Sequence, residues 1–132
     1  MTASSLDRSR SIEDLGPSDV LDLGLVTLVV SGPAARPTLA ATGEVDSTTA
    51  PKVHARIEQL LDAGARDLTL DLTAVTFLDS AGLQTLAMLH RRATTDGVRL
   101  HVLASTRAVI RPMEITGLWH LLGGRRVETL AS

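Results

Sequence analysis

The segment Thr76-Phe77-Leu78-Asp79-Ser80-Ala81-Gly82-Leu83 holds the residues best arranged for chemistry, and the chemistry is that of a hydroxyl group. A strand end runs through Asp-Ser into a helix that opens on small residues. That order predicts Ser80 at or beside a helix N-terminus, with its hydroxyl exposed at a strand-to-helix corner. Backbone N–H groups that lack helical partners at such a corner are suited to a phosphate's oxygens. Ala81 and Gly82 add little bulk, so another protein's active site can approach. The same residues also read as an ordinary helix start, with Asp79 or Ser80 as an N-cap worth about 1 kcal/mol.

Other chemistries find no support. His54, His90, His101 and His120 are scattered, without an i, i+4 pair and without cysteine or paired carboxylates at ligand spacing. A Gly-x-Ser-x-Gly elbow is absent, because Leu78 lies two before Ser80, where the motif has its first glycine. Lys52 is the only lysine, so there is no phosphate loop ending in Lys-Ser or Lys-Thr. A receiver-type aspartyl phosphate on Asp79 would need a magnesium-binding carboxylate cluster and a lysine at a strand end, whereas Lys52 falls early in a helix.

The elements that must position Ser80 follow from periodicity. Residues 1–19 are polar, end in Gly16-Pro17-Ser18 and predict a flexible arm, with one helical turn over Ser11–Leu15 as its only element; residues 20–132 form one domain. Val26, Leu28 and Val30 alternate with Thr27 and Val29, and Gly32-Pro33 separates them from a second strand over Thr38–Thr42, which predicts a hairpin. Gly43-Glu44-Val45-Asp46 then leads into a helix, with Ser47 and Thr48 as N-caps and Pro51 in the first turn. Val53, Ile57, Leu60 and Leu61 are its apolar stripe, and Gly64 ends it. Leu68, Leu70 and Leu72 alternate with Thr69, Asp71 and Thr73 in a strand. A second helix spans Asp79–Arg92, where Leu86, Ala87, Met88 and Leu89 predict burial on more than one side. A strand follows at Leu100 and Val102, then a third helix over Thr106–Thr116, which Pro112 should kink or shorten. Gly123-Gly124-Arg125-Arg126 reads as a solvated turn. Strands of Leu-polar-Leu pattern imply an α/β fold in which helices lie mainly on one face of the sheet.

Gly43-Glu44-Val45-Asp46, an amphipathic helix, a strand and then Phe77-Leu78-Asp79-Ser80-Ala81-Gly82-Leu83 together resemble the STAS family in motif and spacing. The likeness continues through Thr106-Arg107-Ala108-Val109-Ile110-Arg111 and Ile115-Thr116-Gly117-Leu118, and covers about residues 24–122. It implies a single STAS domain with a mixed sheet of four to five strands. It further resembles the anti-sigma factor antagonists, whose serine after the motif Asp is phosphorylated by an anti-sigma factor kinase that supplies ATP and magnesium. Here that serine is Ser80. A serine phosphatase resets such a switch, and the unphosphorylated form captures the anti-sigma factor. The resemblance implies a partner-binding face of Asp46, Ser47, Thr48, Asp79, Ser80, Ala81, Gly82 and Leu83, no cofactor, no catalysis by this chain, and a monomer or weak dimer. A STAS scaffold that is never phosphorylated, docking into a transport or stress-signalling complex, is the alternative. Many relatives carry a second Ser or Thr after the phosphorylated one, but Ala81 leaves one hydroxyl.

Composition narrows the partners. At 132 residues the chain suits one domain, and a net charge of -2 offers no field that attracts nucleic acid. Phe77 and Trp119 are the only aromatics, so base-stacking platforms are lacking. The absence of cysteine fits a reducing compartment, no signal-peptide core follows Met1–Arg10, and Leu25–Val30 is far short of the roughly 20 residues of a membrane span. A cytoplasmic location is expected.

Overall fold

The computed structural model describes residues 19–22 and 26–128. The expected arm falls outside these residues except for Asp19, which is part of a strand, and the helical turn over Ser11–Leu15 also lies outside them. The elements are β1 (Asp19–Asp22), β2 (Val26–Ser31), β3 (Thr38–Val45), α1 (Ala50–Asp62), β4 (Asp67–Leu78), α2 (Ser80–Asp96), β5 (Arg99–Ala104), α3 (Arg107–Ile115), α4 (Leu118–Leu121) and β6 (Gly124–Arg126).

The strands form one sheet in chain order, β1 to β6. β1 and β3 each run antiparallel to β2, and the predicted hairpin pairs Val26 with Gly43 through Ser31 with Thr38. From β3 onward every neighbour is parallel. Each parallel step therefore needs a crossover, supplied by α1, α2 and the α3–α4 pair. Right-handed crossovers that all advance in one direction leave their helices on the same face. The burial pattern agrees: Leu28, Leu39, Leu68, Leu70 and Val102 are buried beneath the helices, while Thr69, Asp71 and His101 stand on the other face.

The helices contribute Val53, Ile57 and Leu61 from α1, Leu86, Leu89 and Ala93 from α2, and Val109, Ile110 and Met113 from α3 to a single core. Gly64 (φ +102°) ends α1 as expected, with the Gly64 and Ala65 N–H groups donating to Leu61 and Leu60. α2 runs one turn beyond the predicted Arg92, to Asp96, and closes on Gly97 at φ +71°. Pro112 is accommodated within α3, which stops three residues later; the Thr116 hydroxyl donates to the Pro112 carbonyl at 3.0 Å.

Residues 124–126 are not a turn. They form β6, parallel to Val102–Ala104 and one of the short edge strands that bring the sheet to six. A Cβ on Gly124 would lie 2.3 Å from Trp119 Cδ2, so only glycine lets the indole lie against this strand.

Two irregularities in β4 matter for the site. Against β3, β4 carries one extra residue between Asp71 and Ala74 and another between Val75 and Phe77. Such bulges reset the phase of alternation. The inward residues are accordingly Leu68, Leu70, Leu72, Val75 and Leu78, and Thr76 and Phe77 are both exposed. Asp71 Oδ1 accepts the Thr73 hydroxyl at 2.6 Å and the Thr73 N–H at 3.0 Å, which pins the first bulge.

Candidate functional site

The two segments singled out by sequence meet at one end of the sheet. Val45 and Leu78 are paired where β3 and β4 finish, and the Asp79 N–H donates to the Val45 carbonyl at 3.2 Å. The loops leading into α1 and α2 therefore leave side by side, which places Asp46 and Asp79 on the same edge. Ligand sites in open parallel sheets form at this carboxyl end of the strands.

Ser80 is the first residue of α2 and is exposed. Asp79 is its N-cap: its backbone is extended (φ -103°, ψ -169°), and Oδ1 accepts the N–H groups of Ala81 at 2.9 Å and Gly82 at 3.2 Å. Sequence left the cap open between Asp79 and Ser80, and the geometry assigns it to Asp79, so the Ser80 hydroxyl is not spent on capping. The expected supply of unpartnered N–H groups is correspondingly reduced, because two of them already serve the Asp79 carboxylate.

Asp46 and Thr49 build the other loop. Asp46 Oδ1 accepts the N–H groups of Thr48 at 2.9 Å and Thr49 at 3.0 Å, and the Asp46 N–H donates back to Thr49 Oγ1 at 2.9 Å. The Thr49 hydroxyl donates to the Glu44 carbonyl at 2.7 Å, and Thr49 is only 1% exposed. Ser47 and Thr48, expected to be the N-caps of α1, instead lie exposed in the turn. The Thr49 N–H holds the Asp46 carboxyl below its ordinary pKa, an effect opposed by desolvation and reinforced by the Thr48 N–H. Thr49 escaped the sequence reading, although Asp46-x-x-Thr49 has the three-residue spacing of a reciprocal cap.

A family model described as "Mlab, STAS domain" matches residues 20–123. The chain belongs to the STAS family. Among its relatives, the anti-sigma-B factor antagonist of Staphylococcus aureus (strain NCTC 8325 / PS 47) is 29% identical over 89 residues, covering 65% of this chain and 82% of the relative. The anti-sigma-B factor antagonist of Listeria monocytogenes is 31% identical over 86 residues, with 65% and 75% covered. A crystal structure of an anti-sigma factor antagonist from Mycobacterium paratuberculosis superposes with a TM-score of 0.68 at 29% identity, covering 80% of this chain and 88% of that one. The anti-sigma factor antagonist SpoIIAA in its unphosphorylated form shares the fold at a TM-score of 0.63 and 14% identity, with 84% and 88% covered.

In this STAS domain the residues around Ser80 divide by role. Gly82, expected on the partner-binding face, is buried: a Cβ there would sit 2.4 Å from Leu78 Cδ1 and 3.1 Å from the Val45 carbonyl oxygen. Its glycine lets α2 start directly against the ends of β3 and β4, rather than keeping the outside of the corner bare. Ala81 and Leu83 are half-buried. Ala81 lines a groove of about 300 Å³ between α1 and α2, with Ser47, Pro51, His54 and Met88 among its walls. Met88, placed by sequence in a helix buried on several sides, is 37% exposed along this groove. Among the described residues no three His, Cys, Asp or Glu side chains gather to hold a metal, and no helix is long and apolar enough to cross a membrane.

Proposed function

We propose that this STAS domain is an anti-sigma factor antagonist that binds an anti-sigma factor serine kinase and is switched off when that kinase phosphorylates Ser80. The observation that carries the reading is the exposed Ser80 hydroxyl at the first position of α2, released from capping by Asp79. The names of the relatives support the same role. ATP and magnesium belong to the partner. Ser80 Oγ attacks the γ-phosphorus, the bond to ADP breaks, and the hydroxyl proton passes to a base of the kinase. This chain is a substrate and a binder with no cofactor of its own, acts in the cytoplasm as a monomer or weak dimer, and is reset by a serine phosphatase.

The phosphate adds about -1.5 to -2 charges near neutral pH. It arrives next to the Asp79 carboxylate and faces a partner whose bound nucleotide is itself an anion. A penalty of about 2.7 kcal/mol already weakens binding roughly 100-fold, enough to release the kinase for its sigma factor. Because the group stays at the surface, and a helix N-terminus favours negative charge, the fold persists.

The test is incubation with ATP, magnesium and each purified anti-sigma factor serine kinase of the source genome, followed by intact-mass measurement. One added phosphate is expected on the wild-type chain and none on Ser80→Ala. Phosphate retained by Ser80→Ala, or found on Asp79, contradicts the proposal. Tight binding without any phosphate transfer would favour the unphosphorylated scaffold.

A further inference from the structure

Phe77 is 47% exposed, although it is one of only two aromatic residues in the chain. Leu78 turns inward beneath the helices, so Phe77, the residue before it on the strand, points to the opposite face. It is brought there by the second bulge of β4 and paired in register with Glu44. It lies three positions before Ser80, at the same end of the sheet. A half-exposed phenyl ring is the type of group that anchors protein interfaces, because a partner pocket can bury its remaining apolar area at little entropic cost. Glu44 beside it gives the patch a negative rim, and Asp46 and Asp79 follow on the adjoining loops.

We propose that Phe77 is the anchor by which the kinase partner grips this chain: the ring fills an apolar pocket, and a basic side chain on that pocket's rim faces Glu44. The inference rests on the function proposed above and supplies the element of recognition that lies outside the Asp-Ser corner. With the ring seated, the short rigid path from Phe77 to the cap at Asp79 limits where the Ser80 hydroxyl can reach. Phe77 is thus a positioning residue, and the phosphate acts beside the anchor without disturbing it.

The experiment compares wild type, Phe77→Ala, Phe77→Leu and Ile115→Ala in binding and Ser80 phosphorylation by the purified kinases. Ile115, 71% exposed at the end of α3, is an apolar control away from the corner. Phe77→Ala is expected to raise both Kd and KM on the order of 30-fold, the loss typical of an aromatic anchor. Phe77→Leu should recover much of that loss, Ile115→Ala should match wild type, and circular dichroism should be the same for all four. Phe77→Ala within twofold of wild type, or no better retention by Phe77→Leu, overturns the inference while leaving the Ser80 reading intact. Failure of every kinase to bind wild type overturns both.

Discussion

At the scale of single residues, the corner works by division of labour between neighbours. A serine at a helix start is often consumed as a cap. Here Asp79 takes that task with two N–H groups, which leaves Ser80 oriented outward and chemically free. Removing the cap with Asp79→Ala should lower stability by about 1 kcal/mol, near 4 °C in melting temperature for a domain of this size. Asp79→Asn, an equally good cap, should melt within about 1 °C of wild type. Thermal melts followed by circular dichroism check both, and equal melting of all three chains would show that the cap carries no weight. Asp-Ser before a run of small residues made the corner legible in sequence. The choice between the two as cap was not, because it depends on the extended backbone at Asp79.

At the scale of elements, the site depends on how closely α2 can approach the ends of β3 and β4. Gly82 allows that approach, and its replacement meets the Val45 carbonyl as well as the movable Leu78 side chain. Gly82→Ala should therefore destabilise by roughly 1–3 kcal/mol, since overpacking outweighs the usual helical preference for alanine. Urea unfolding reads the change, and a stabilised Gly82→Ala chain would contradict this packing. Periodicity revealed α1, α2 and the Leu68–Leu72 stretch because their apolar residues recur at helical or strand spacing. It missed β6, whose Gly-Arg-Arg has no alternation and exists only by pairing with β5. It also missed the β4 bulges, since an extra residue leaves no local signature, and for that reason the exposure of Phe77 could not be read from the chain alone.

At the scale of the whole molecule, chain-order strands and one-sided crossovers place all helices on one face and gather the β3–α1 and β4–α2 loops at one edge. Arg92 of α2 ties these two helices together by pairing with Glu58 and Asp62 of α1, and it also bonds Asp96 at 2.8 Å. The alternation seen in sequence was sufficient to foresee the single helical layer. The loop juxtaposition needed the parallel register of Val45 with Leu78. Under the proposed phosphorylation, a charge added at Ser80 lies at the surface rather than in the core, so its expected effect is on the interface. The most direct measurement is the affinity of purified Ser80-phosphorylated chain for its kinase, set beside that of the unmodified chain. Binding weakened about 100-fold or more, with melting temperature within a few degrees of the unmodified chain, is the predicted result. Equal affinity, or a loss of binding that tracks unfolding of the phosphorylated domain, would contradict it.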